Sequence, residues 1–390
     1  MNAGSQSILE PPPPVRARAS LAGSAIPAVV PAGKRRLESL DFVRGLAMAL
    51  MALDHLRSAF VFSEGGADAR EIAPALMVTR LVTHFCAPAF ILLAGVGAAL
   101  SVARGRSRAE VATFLVTRGL MLVLLDLVVF NASLDLHHVG LGVIWTIGWS
   151  MVALASGLWL PQWGQIVGAG VLLFLPRWMA LSFSRVTGSG FWTALVTGGS
   201  VDLTGGVSLS LQYPVLPWAA VMLLGYRLGD LFGSPAERRK RWLMTLGIAA
   251  LALFVVLRGF TTYGDPVSWD RNGLLDFFHC AKYPPSPAFL LMTLGPPLLL
   301  LGVVDGREFI GRSALVTLGQ VALFFYVVHR IAIRALVLVL GRWLGAVPEA
   351  GLSLPVVYGL WVGFMLVLYP FCRWFAGLKR RSTWAWLRYV

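Results

Sequence analysis

The chain has 390 residues, 57% of them hydrophobic and 13% charged, with a formal net charge of +14 at neutral pH. A mean hydropathy of +0.73 excludes an ordinary soluble domain and places the chain in the membrane class before any motif is considered. The cations gather in alternate loops rather than on a face interleaved with stacking aromatics, which excludes nucleic acid as a partner.

Residues 1–33 are rich in Pro, Ala, Ser and Arg, with Pro11 to Pro14 in a row. They lack the apolar core of a signal peptide and read as a disordered cytoplasmic tail. Residues 34–378 form one membrane domain, and 379–390 a basic cytoplasmic tail. A helix needs about 17–25 apolar residues to cross a bilayer, and on that basis ten spans are predicted, at about 41–62, 75–102, 110–130, 140–160, 163–182, 212–232, 241–260, 286–304, 313–340 and 353–375. The fold class expected is therefore all-α, a polytopic helical bundle. Lys34-Arg35-Arg36, Arg104, Arg106 and Arg108, Arg238 to Arg241 and Lys379 to Arg381 fall on one side. Glu64, Asp68, Glu71, Asp135, Asp265, Asp270 and Asp276 fall on the other. Both termini are thus expected in the cytoplasm of a multi-pass protein of the inner (plasma) membrane. Its surroundings would be membrane lipids, with room for a homo-oligomer.

The first span carries Asp41, Arg44, Asp54 and His55 in an otherwise apolar run. Ionisable groups inside a membrane helix are costly and face a bundle interior or a polar cavity. Arg44 and His55 are eleven residues apart, roughly three turns and about 16 Å, so they share one stripe with Asp41. Imidazole can take a proton from an attacking hydroxyl or amine. Asp54 could fix its tautomer, although it points about 100° away from His55 and serves another helix equally well. In the second span Pro88 is predicted to kink the helix beside His84. The small residues from Ala94 to Ala99 read as close helix packing.

Further along, Arg118 and Arg227 stand with Arg44 at cytoplasmic ends, whereas Asp126 and His329 fall in outer halves. Asp276, Lys282 and Tyr283, at the start of the eighth span, are expected to face the same outer cavity as the histidines. Arg330 and Arg334 beside His329 must line something polar or reach an interface. Cys86, Cys280 and Cys372 form no disulfide framework. His137 and His138 have no third ligand at metal spacing, so no metal is expected.

The stretch Arg36-x-x-x-Leu40-Asp41-x-x-Arg44-Gly45-x-Ala47, followed by His55, resembles the opening helix of the transmembrane acyltransferase superfamily. Within it, residues 36–376 resemble bacterial proteins with the heparan-alpha-glucosaminide N-acetyltransferase catalytic domain. The segments that carry this likeness are Leu53-Asp54-His55, Thr83-His84-Phe85-Cys86-Ala87-Pro88-Ala89-Phe90, Tyr213-Pro214-x-Leu216-Pro217-Trp218, Lys282-Tyr283-Pro284-Pro285-Ser286 and Leu323-Phe324-Phe325-Tyr326-x-x-His329.

The resemblance implies transfer of an acyl group, usually acetyl, from cytoplasmic acyl-CoA to a sugar amine or hydroxyl on the opposite side. It puts His55 at the family's first-helix histidine and Arg44 at its basic partner. Residues 56–83 lack the loop histidine of the animal lysosomal member, which makes His84 the substitute candidate. The scheme expected is as follows. Arg44 and Arg118 bind the phosphates of acetyl-CoA or another acyl-CoA, and the pantetheine arm follows the Arg44–His55 stripe. His55, His84 and Asp54 do the chemistry, while Asp276, Lys282, Tyr283 and His329 meet a small-molecule or glycan acceptor. A proton-coupled transporter and a non-catalytic membrane protein stay open as alternatives.

Overall fold

A computed structural model describes residues 37–61, 74–130, 138–183, 191–203, 206–260, 265–267, 269, 273–307, 312–343, 345 and 351–388. The expected N-terminal tail, Arg36, His137 and the loop acids Glu64, Asp68, Glu71, Asp135 and Asp270 lie outside the described residues.

The first helix, α1 (Glu38–Phe60), starts with Glu38 and Asp41 in its first turn and ends on Arg57, the charge order that the helix dipole favours. The next span is broken in two, α2 (Pro74–His84) and α3 (Cys86–Ala103), with Phe85 between them. Pro88 has no N–H for the carbonyl of His84, and its ring crowds that turn, so the break falls where a kink was predicted. A Ser107/Glu110 capping box opens α4 (Arg108–Leu125), which runs on into a π-helical turn, Asp126–Phe130. There follow α5 (Val143–Gly157), α6 (Gln162–Phe183), α7 (Phe191–Thr197), α8 (Val215–Leu228) and α9 (Ala236–Gly259). A short α10 (Leu274–Phe277) precedes α11 (Pro287–Val304), which Ser286 caps through the backbone N–H of Phe289. The span expected at 313–340 is interrupted at Val321, giving α12 (Arg312–Gln320) and α13 (Ala322–Val337). The chain closes on α14 (Leu354–Arg381).

Among the described residues seven helical stretches are long and apolar enough to cross a membrane, and the protein is an all-α, multi-pass membrane protein. The other three expected spans are also helical. Charges interrupt α1, α5 has 15 residues, and the apolar part of α6 is Gln162–Pro176.

A small sheet was not anticipated. Strands β1 (His138–Leu141), β2 (Gly199–Leu203) and β3 (Val207–Leu211) lie in the order β1-β3-β2, β1 parallel and β2 antiparallel to β3. Val201, Leu209 and Leu211 turn one face onto Val123 of α4 and Trp145 of α5. The strands are four or five residues long, too short to announce themselves among apolar helices.

Helix α1 sits in the middle of the bundle, with Val43, Ala47, Ala52 and Leu56 fully buried. Glycines set two of the crossings. Gly45 of α1 lies against the carbonyl of Leu315, and Gly319 of α12 against that of Asp41; an added Cβ would come within 1.8 Å of either oxygen. Gly95 and Gly225 join α3 to α8 in the same way, as the small-residue run predicted. At the basic end, Asp305 accepts from Arg239 and from Ser39, and Arg312 pairs with Glu38 at 2.9 Å. Arg239, one of the cations that set the expected topology, therefore also ties α9 to α11 and α1.

Candidate functional site

Helices α1 and α13 bring two imidazoles together. Nδ1 of His55 lies 2.8 Å from Nε2 of His329, and the two rings meet edge to edge and nearly coplanar, with centroids 5.0 Å apart and planes 6° from parallel. The ring of Phe325 lies near-parallel to that of His329, with centroids 5.1 Å apart. The other nitrogen of His329, Nδ1, lies 3.0 Å from the carbonyl oxygen of Phe325. A carbonyl can only accept, so Nδ1 carries a proton. In the neutral pair Nε2 of His329 is then an acceptor for the Nδ1–H of His55. Nε2 of His55 is left as a lone pair with its direction fixed. His329 is wholly buried, while His55 is half-buried.

The geometry decides between the two roles open to Asp54 and gives His329 a different neighbour from the one expected. Asp54 does not orient His55: its carboxylate accepts from Arg57 at 2.7 Å and from Thr83 at 2.8 Å. The physical reason is the rotation between neighbouring residues, which turns Asp54 toward α2 while His55 faces α13. His329, expected on the acceptor's side, is the hydrogen-bond partner of His55.

Behind the pair, Tyr326 stands edge-on to both rings, at 6.4 Å from His55 and 5.4 Å from His329. The charge of Arg330 reaches His55, Tyr326 and Asp126. Asp126, buried at the start of the π-helical turn, accepts from the backbone N–H of Gly142 at 3.0 Å.

A second group of charges lies on the outer side. His84 is within electrostatic reach of Lys282, Asp54, Arg57 and Arg80, and His55 shares Lys282 and Asp54 with it. Its ring also packs against Phe289 of α11. Three cations thus surround one carboxylate. Nε of Arg57 is buried with no hydrogen-bond partner among the described residues. The ammonium of Lys282 lies over the rings of Tyr213 and Tyr283, at 5.8 and 5.2 Å, and the two phenol hydroxyls are 3.1 Å apart.

Two residues with no expected role at the site, Arg258 and Asp265, hold the segment that carries Lys282. Arg258, buried at the end of α9, donates to the carbonyls of Val267, Asp276, Phe277 and His279. Asp265 accepts from the backbone N–H groups of Val267 and Ala281 and from the hydroxyl of Ser286. Asp276, expected in the outer cavity, gives its backbone carbonyl to Arg258, so the loop's buried bracing carboxylate is Asp265. Nearby, burial pushes the Cys280 thiol up to about 12, with the Asp265 carboxylate adding to the shift.

Toward the basic end, Arg44 donates to Asp41 at 3.2 Å and to the carbonyl of Leu93 at 2.9 Å. Arg118 of α4 is close enough to feel its charge and lies over the Phe114 ring. Nε of Arg118 is buried without a partner among the described residues. Arg227 is committed elsewhere, to Gln165 and Asp230. Between Arg44 and His55 no polar shaft runs. Met48 and Met51, on the same stripe, are packed into the core with Ala47, Ala52 and Val96. Among the described residues no group of three His, Cys, Asp or Glu is arranged to hold a metal.

A family model described as "Heparan-alpha-glucosaminide N-acetyltransferase, catalytic" matches residues 36–262, more than half of the chain. The match spans α1 to α9, with Arg44, Asp54, His55, His84 and Arg118, and stops short of Lys282 and His329. No curated protein matches the chain.

Proposed function

The chain belongs to the family of heparan-alpha-glucosaminide N-acetyltransferase catalytic domains, and from that premise we propose that it moves an acyl group, most simply acetyl, from cytoplasmic acyl-CoA to an amine or hydroxyl acceptor outside the inner membrane. The acceptor of choice is a sugar. The observation that carries this reading is the His55–His329 pair, which leaves one unprotonated nitrogen of fixed direction in the last third of α1.

In the reaction, Nε2 of His55 takes the proton from the acceptor's amine or hydroxyl as that atom attacks the thioester carbonyl. His329 accepts the Nδ1–H of His55 throughout, which holds the ring's tautomer and steadies the imidazolium that forms. Lys282 supplies positive charge where the carbonyl oxygen becomes negative. The C–S bond then breaks, the sulfur recovers the proton from His55, and CoA thiol leaves. His84 shares the charged neighbours of His55 and is the alternative base. Arg44 and Arg118, two cations against the single carboxylate of Asp41, receive the CoA phosphates. Arg57, Arg80 and Lys282 favour an acceptor that carries a negative group of its own.

On this reading the pantetheine arm reaches His55 by displacing Met48 and Met51. Both side chains are unbranched and change shape at small cost.

The packed stretch between the two polar ends also suits an occluded carrier, and the polar series Asp126, Arg330, Tyr326, His329, His55 suits proton coupling. Labelled acetyl-CoA decides between the two readings. Incorporation of label into an amino sugar by the purified protein, absent from His55→Ala, supports the enzyme. Proton-dependent uptake without acyl transfer supports the carrier.

A further inference from the structure

Far from the histidines, the last turns of α14 carry a groove of about 660 Å³. Tyr369, Arg373, Gly377 and Arg380-Arg381 recur at three- to four-residue spacing and so form one stripe. Trp374 flanks it, with 63% of its surface exposed. A Cβ added at Gly377 would meet nothing within 4 Å, so the missing side chain is what gives the groove its floor. Among the described residues no acidic side chain pairs with Arg373, Arg380 or Arg381. Further up the same stripe, Val362 and Leu366 are exposed and apolar.

We propose that this groove binds the headgroup phosphate of an anionic phospholipid, whose acyl chains lie along Val362 and Leu366. Three features argue for that occupant. Three guanidiniums at the end of a membrane span, unpaired with any acidic side chain among the described residues, match an anionic headgroup in charge and in fork geometry. A tryptophan and a tyrosine at the same level are the usual residues of the headgroup layer. The apolar strip begins at Leu366, about two helical turns above Arg373 with Tyr369 between them, so acyl chains can follow the helix beyond a phosphate held at the arginines. A soluble phosphate would use the cations and leave the strip idle. The site is independent of the acyl-transfer reading.

The test uses the full chain in detergent, with native mass spectrometry counting bound lipid after addition of phosphatidylglycerol or phosphatidylcholine. Three proteins are compared: wild type, Arg373→Gln/Arg380→Gln/Arg381→Gln, and Gly377→Leu, which fills the groove and keeps every charge. The expected result is a preference of about tenfold or more for phosphatidylglycerol in the wild type, lost in both variants. Should the triple variant fail to fold, Gly377→Leu alone decides. Equal retention of the two lipids by the wild type, or an undiminished preference in Gly377→Leu, overturns the proposal. Displacement of the lipid by millimolar inorganic phosphate or by CoA also overturns it, because it assigns the groove to a soluble phosphate.

Discussion

Nδ1 of His55 and Nε2 of His329 are 2.8 Å apart across α1 and α13, and the carbonyl of Phe325 fixes the proton on the far side of His329. The pair therefore has one open position, Nε2 of His55. His329→Ala is predicted to lower kcat for acyl transfer by about 10²–10⁴-fold, the range of a lost acid–base function. The KM for acetyl-CoA should hold, since His329 is buried behind His55. His329→Gln, whose amide can still accept from His55, should recover part of the loss. An unchanged kcat in His329→Ala would remove the pair from the chemistry.

Met48 and Met51 fill the stripe between Arg44 and His55. Met51→Leu keeps the volume and should transfer acyl groups nearly as well as the wild type. Met51→Phe adds a rigid ring to a packed core, at a stability cost of about 1–3 kcal/mol, and is predicted to slow transfer by roughly tenfold or more. Equal rates in the two variants, each shown to be folded, would mean that no arm passes this way.

Gly45 meets the carbonyl of Leu315 closely enough that a methyl group cannot fit without moving α12. Gly45→Ala should destabilise the protein by about 1–3 kcal/mol, read as a lower midpoint in thermal unfolding. Gly359→Ala, with open space around its Cβ, is the control and should leave the midpoint where it is.

Arg258 gathers four backbone carbonyls of the segment that carries Lys282. Arg258→Met leaves them buried and unpaired. Amide hydrogen exchange over residues 273–286 should then rise, and the KM for the acceptor should rise with it. If exchange there stays at the wild-type level, the brace lies elsewhere.

Burial holds the Cys280 thiol up at about 12, so at neutral pH it is a thiol and not the nucleophilic thiolate. Maleimide labelling of Cys280 should stay slow in the folded protein from pH 7 to pH 9 and accelerate only on unfolding. Rapid labelling at pH 8 would contradict the buried placement of this loop.

Much of this molecule can be read from its residues, because a membrane demands long apolar runs and leaves charge few places to go. All ten predicted segments are helical, and the break beside His84 follows from Pro88. What the sequence hides is which face meets which. Asp54 and His55 are adjacent in the chain, yet they serve opposite neighbours. The partner of His55 lies 274 positions away, and no spacing rule links the two. The bracing roles of Arg258 and Asp265 are hidden for a related reason. Their work is done on backbone carbonyls and amides, which look alike in every sequence. The three strands are short enough to pass for loop between spans. Met48 and Met51 read simply as apolar residues, and only packing shows that they fill the stripe along which the pantetheine arm was expected to run.

The most direct test places the purified protein in sealed vesicles, with labelled acetyl-CoA on the face bearing Arg44 and an amino sugar on the other. The wild type is predicted to deliver labelled acetyl to the sugar, and His55→Ala, folded and inserted to the same level, to deliver none above background. Transfer by His55→Ala at the wild-type rate would contradict the account.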